Sequence, residues 1–177
     1  MRFAPASLPL VAVLLGAAAC TEASMATAVP ADLSASVNTG TVHAVIEQGD
    51  RTADGKVRYL VRILAKKGEV ASFQGTLTFT PGSVAIDAVT VPETADGEVH
   101  IVNREQLAEG KIRFAGYAPE ELATTEAFSV LVTPRGGGTP DFAVALDVAG
   151  SPDGVAKPAS MLRGSRDVRD KNGNILR

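Results

Sequence analysis

From Thr41 to Gly150 the chain alternates between apolar and polar positions with a period of two over most of its length. That period belongs to strands that bury one face and wet the other. It is plainest from Ser72 to Val91, where Phe73, Leu77 and Phe79 share one phase and Gln74, Thr76 and Thr78 the other. Thr80-Pro81-Gly82-Ser83 then reverses the chain, because Pro81 presets φ and Gly82 tolerates a positive one. A Val-rich run follows, so the stretch predicts two antiparallel strands joined by a tight turn. Gly75 interrupts the apolar phase, which predicts a bulge or a close backbone approach there.

The same alternation recurs on both sides. Val42, Ala44 and Ile46 oppose His43, Val45 and Glu47, and Val57, Tyr59, Val61 and Ile63 oppose Arg58, Leu60, Arg62 and Leu64. Val99, Ile101 and Asn103 alternate with His100, Val102 and Arg104. Ile112 and Phe114 point inward, with Arg113 and Ala115 outward. Ala118 to Thr125 predicts one short helical turn. Phe128, Val130 and Val132 share a phase, as do Phe142, Val144, Leu146 and Val148. About eight short strands separated by turn signals predict an all-β fold, a two-sheet antiparallel β-sandwich.

The ends differ from this middle. Arg2 and the apolar run Leu8 to Gly16 have the form of an export signal too short to span a bilayer. Ala17-Ala18-Ala19-Cys20 resembles a bacterial lipobox, in which the cysteine thiol takes a diacylglyceryl group before cleavage. Leucine is more usual where Ala17 stands. The alternative is an ordinary secretory signal cut at Ala-x-Ala, with the cysteine incidental. Cys20 is the single cysteine, and a lone exposed thiol on an exported chain favours acylation. The predicted organisation is a lipoprotein signal peptide over 1–19, a flexible tether over 20–40, the sandwich over 41–150, and a linker with a polar C-terminal tail over 151–177.

Two stretches carry a family resemblance. Ser72 to Val91 resembles the third and fourth strands of a cohesin domain, with its serine-aromatic start, alternating Thr/Leu strand and Val-rich successor. Gly110 to Pro134 supports it, through a Gly-x-Ile-Arg strand, a small-residue loop, and a strand opening on Phe128. The resemblance covers roughly Thr41 to Gly150 and implies jelly-roll strand order. Cohesins bind dockerins across one sheet face, so it also implies a protein partner. The outward residues of the matching strands are Gln74, Thr76, Thr78, Arg113 and Ala115, with Tyr117 near a loop. Gln74, Thr76, Thr78, Arg113 and Tyr117 are the candidate partner-binding residues.

Charge and composition narrow the function. A net charge of -3 argues against nucleic acid, whose electrostatic footprint is a basic patch. The chain has no Trp and two Tyr, too few rings for the stacking row that holds crystalline polysaccharide. A soluble glycan held by hydrogen bonds stays open. His43 and His100 lie on outward phases with no metal-binding motif beside them, and read as solvated. Asp167, Asp170, Asn172 and Gly173 fail as a calcium loop: placing Gly173 sixth puts Val168 first. Glu120, Glu121 and Glu126 read as solvated loop acids, and Arg135 to Pro140 as a glycine-rich connection without the lysine of a phosphate loop. No catalytic constellation, metal site or cofactor site emerges. The expectation is a non-catalytic, lipid-anchored module of a bacterial envelope, at the outer membrane or cell surface. It would bind an envelope or secreted protein. The alternatives are a carbohydrate-binding module and a self-associating envelope structural protein.

Overall fold

The computed structural model describes residues 41–94, 97–122, 124–135 and 139–176, with the side chains of 119–122 excepted. The signal peptide, Cys20 and the tether lie outside the described residues, as do Gly136 to Gly138 of the glycine-rich connection. The strands are β1 (Val42–Arg51), β2 (Val57–Leu64), β3 (Val70–Phe79), β4 (Val84–Thr90), β5 (Val99–Asn103), β6 (Lys111–Leu122), β7 (Thr124–Pro134), β8 (Phe142–Gly150), β9 (Leu162–Arg163) and β10 (Val168–Arg169). They form two sheets. One has the order β10-β1-β2-β7-β4, with β9 also beside β1, and the other has the order β5-β6-β3-β8. Neighbours are antiparallel, except that β9 and β10 run parallel to β1.

The inward phases meet as the alternation requires. Phe73, Leu77, Ile112, Phe114, Phe142 and Val144 of the four-stranded sheet pack against Val57, Tyr59, Val61, Ile63, Phe128 and Val130 of the other. Rings bridge the two layers. Tyr59 meets Phe142 edge-on at 5.1 Å between centroids, and Phe114 meets Phe128 at 5.3 Å. Each such fully buried side chain contributes about 1.5–3 kcal/mol relative to an exposed one. Gly75 is where the sequence predicts close approach: a Cβ there would lie 2.4 Å from the Ala145 carbonyl and 2.5 Å from the Phe114 ring. The β3–β8 register shifts at the same point.

Four expectations are corrected. The Pro81 turn forms, with Ser83 N–H donating to the Thr80 carbonyl, but it does not join paired strands. β3 lies in the four-stranded sheet, while β4 pairs with β7 in the other. The turn therefore carries the chain between layers, and Gly82 is not among the glycines at positive φ. The helical turn expected over 118–125 is absent. β6 continues through it to Leu122, which pairs with Val70, and Thr124 opens β7 against Leu64.

Residues 151–176 are not a linker and a tail. β9 and β10 return to β1, and Val168 is fully buried. Val144 and Ser165 exchange both backbone hydrogen bonds, at 2.8 and 2.9 Å. Gly164 permits that approach, since a Cβ there would sit 2.2 Å from the Val144 carbonyl. The Asp170 turn is closed by its own side chain, which accepts from the Asn172 and Asn174 backbone N–H groups at 2.8 Å each. Those bonds, chiefly the one from the Asn174 side chain, hold the Asp170 carboxyl below the usual carboxylate range.

Neither histidine is solvated. His43 is half-buried, its Nε2 has no hydrogen-bond partner among the described residues, and burial lowers its affinity for a proton. His100 turns inward, and its side chain is 1% exposed. Both sit where the opposite phase of the strand is also apolar, so alternation alone could not assign the faces.

Candidate binding face

The four-stranded sheet turns one face to the core and the other to solvent. Its outward residues form rows across β5, β6, β3 and β8. Val99, Tyr117, Ser72 and Gly150 make the first row; Ile101, Ala115, Gln74 and Val148 the second; Asn103, Arg113, Thr76 and Ala145 the third. Lys111, Thr78 and Ala143 follow. The structure thus places all five candidate residues, Gln74, Thr76, Thr78, Arg113 and Tyr117, on one surface.

The face is divided by polarity. At one end Val99, Ile101, Tyr117 and Val148 are 49%, 61%, 52% and 46% exposed around Ala115. They border a shallow depression of about 230 Å³ floored by Phe73 and Gly116. Gly116 makes room for the Phe73 ring beneath the sheet, because a Cβ there would meet that ring at 2.2 Å. The other end is polar. Thr76 Oγ1 donates to Asp147 at 3.2 Å, and Thr78 Oγ1 donates to the Ala143 carbonyl at 3.2 Å. Arg113 and Asn103 are exposed beside them.

Three residues of this surface escape sequence reading. Val99 and Ile101 are apolar and pass for core, though they share a phase with Asn103. Alternation puts Val148 in one phase with the inward Phe142, Val144 and Leu146. It turns outward because the β3–β8 register slips by one between Gln74↔Val148 and Gly75↔Leu146, leaving Asp147 as the extra residue. A one-residue slip reverses every side chain beyond it.

No group of three or more His, Cys, Asp and Glu residues able to hold a metal ion occurs among the described residues. The Glu120 and Glu121 side chains lie outside the described residues. Glu126 sits on the other sheet, across the ladder from Arg62.

No family model matches the chain, and no curated protein is similar to it. Solved structures are. A cohesin module of a family 33 glycoside hydrolase from Clostridium perfringens has a TM-score of 0.51 and 14% identity, over 73% of this chain and 98% of that module. A cohesin from a type I cohesin–dockerin complex of Clostridium thermocellum has a TM-score of 0.48 and 9% identity, over 73% of this chain and 99% of that one. A type I cohesin from Pseudobacteroides cellulosolvens has 0.47 and 13%, over 73% and 87%. The Clostridium perfringens likeness, with the two sheets described above, defines the fold: this is a cohesin-like jelly-roll sandwich.

Proposed function

We propose that this chain is a non-catalytic, exported and lipid-anchored binding module that presents its β5-β6-β3-β8 face to a protein partner. The observation that carries the reading is the exposed cluster of Val99, Ile101, Tyr117 and Val148 beside a polar half holding Arg113, Asn103 and Asp147. An exposed apolar patch bordered on one side by polar and charged groups has the mixed chemistry of a protein interface. Singly scattered apolar residues would need no explanation, whereas a contiguous group on one sheet face does. The cohesin-like fold supports the same reading, since cohesins bind their partners across a sheet face. Carbohydrate binding is the weaker reading, as Tyr117 is the one aromatic side chain among the outward residues of these rows.

Anchoring rests on the lipobox-like Ala17-Ala18-Ala19-Cys20. Intact mass of the protein extracted from its native membrane tests it: a chain beginning at Cys20 and carrying acyl groups is expected, and an unacylated mature chain would refute it. The binding reading is tested by capture from the native envelope and secretome. The wild-type protein is expected to recover a saturable protein partner, and Ile101→Arg to lose it. Equal recovery by both forms, or none by either, would count against the face.

A further inference from the structure

His100 is the second residue of β5, the edge strand that carries Val99 and Ile101, and its ring points the opposite way. Nε2 lies 2.8 Å from Glu98 Oε1, and Nδ1 lies 3.2 Å from the Ala127 carbonyl oxygen. Ala127 belongs to β7, in the facing sheet. The same Glu98 oxygen accepts from Thr125 Oγ1 at 3.2 Å, again on β7. The ring stands edge-on to Phe73, the floor of the apolar depression, with centroids 5.7 Å apart and planes at 79°. His100 therefore ties the outermost strand of one sheet to the other sheet, directly behind the exposed cluster.

The proton inventory of this contact is informative. A carbonyl oxygen and a carboxylate oxygen are both acceptors, so both ring nitrogens must donate for both bonds to form. A neutral imidazole has one N–H, and only the imidazolium has two. Among the described residues, these groups meet the ring. Glu98 supplies the carboxylate, β7 the Thr125 hydroxyl and Ala127 carbonyl, β3 the Phe73 ring, and β6 the side-chain-free Gly116. Glu126, between Thr125 and Ala127, couples instead to Glu47 and lies opposite Arg62.

We propose that His100 is a protonation-dependent clasp, which fixes β5, and with it Val99 and Ile101, in the binding face when the ring is charged and releases it when the ring is neutral. This regulation of the face rests on the reading of that face as the binding surface, but the clasp can be measured without a partner. If the ring loses the Nε2 proton, its lone pair confronts the Glu98 carboxylate. If it loses the Nδ1 proton, the tie to β7 goes. Loss at Nδ1 removes the direct bond to β7, and loss at Nε2 removes the brace on Glu98, which itself holds Thr125 of β7; either loosens an edge strand that then rests mainly on its ladder with β6.

The test uses the full chain in detergent. Long-range proton–nitrogen spectra follow the imidazole of His100, and amide hydrogen exchange follows β5, between about pH 5.5 and about pH 8.5, the range in which histidines change charge. Both ring nitrogens are expected to carry protons at the acid end. After correction for intrinsic rates, β5 amides are expected to be protected about ten-fold more there than at the alkaline end, the worth of one charge-assisted hydrogen bond. His100→Gln should abolish that pH dependence. Glu98→Gln, which keeps the shape and removes the charge, should weaken it and serves if the first variant does not fold. A single neutral tautomer throughout, or β5 protection that does not change with pH, would overturn the clasp. Such a failure would leave the face reading intact, whereas equal capture by wild type and Ile101→Arg would sink the face and leave the clasp standing.

Discussion

Tyr117 on β6 stands directly across the ladder from Val99 on β5, and both side chains are about half exposed, at 52% and 49%. On the other side of Tyr117 lies the small Ser72. A tyrosine so placed offers a large, rigid contact area while owing the core little. Tyr117→Ala is therefore expected to change stability by no more than about 0.5 kcal/mol, as for other exposed positions. If Tyr117 anchors the partner, the same change weakens binding by about 2 kcal/mol or more. Thermal denaturation and partner titration on the same variant separate the two effects.

Gly75 and Gly116 leave room for side chains rather than for turns. Phe114 and the Ala145 carbonyl fill the space beside Gly75, and Phe73 the space beside Gly116. Gly75→Val and Gly116→Val are each expected to destabilise the fold by about 1–3 kcal/mol through overpacking. Chemical denaturation checks this; a midpoint equal to that of the wild type would mean that the core yields at these points.

The C-terminal segment belongs to the domain. Val168 is fully buried and pairs with Ile46. Removing residues 162–177 deletes β9 and β10, uncovers the β1 edge and unpairs Val144 from Ser165. The milder Val168→Ala is expected to lower stability by about 1–3 kcal/mol, since it removes buried apolar volume and leaves a void. A freely detachable tail would instead allow truncation with no change in melting temperature.

Glu47 and Arg62 form an ion pair with Oε2 and Nε 3.1 Å apart, and their side chains are 2% and 6% exposed. Burial pushes the Glu47 carboxyl up from its ordinary range; Arg62 pulls it back, and Glu126 and Asp170 add to the rise. A carboxyl raised in the folded state favours folding below its unfolded value, and that advantage is lost as pH rises through the folded value. Arg62→Met strands the carboxylate and is expected to cost about 3–5 kcal/mol, while Glu47→Leu with Arg62→Leu returns most of the loss. The Arg62→Met deficit should shrink as pH falls from about 7.5 towards 5, because protonation then removes the buried charge. A deficit independent of pH would show that Glu47 is not the group left uncompensated.

Much of this fold is legible in the alternation, because a half-buried strand must place apolar side chains at every second position. Phe73, Leu77, Ile112, Phe114 and Phe128 all lie in the core where their phase puts them. Legibility ends where a strand is apolar on both phases or too short to have a phase. β5 offers Val99 and Ile101 against His100 and Val102, and hydrogen bonds to Glu98 and Ala127 bring the histidine side inward. β9 and β10 have two residues each, so Val168 gives no periodic signal. Turn chemistry at Pro81 fixes a reversal but not the sheet that receives the next strand. The polar half of the face, Gln74 to Thr78 and Arg113, is readable as an outward phase. Its apolar half is not, since an exposed Ile101 or Val148 is written in the same letters as a core residue.

The most direct test of the central claim is site-specific photo-crosslinking in the native host. A photoreactive side chain at position 115 lies at the centre of the face, and one at the exposed Arg58 lies on the other sheet. The predicted result is a discrete protein adduct from position 115 that disappears with Ile101→Arg, and none from position 58. An adduct from position 58 alone, or none from either, would contradict the assignment of the β5-β6-β3-β8 face as the partner-binding surface.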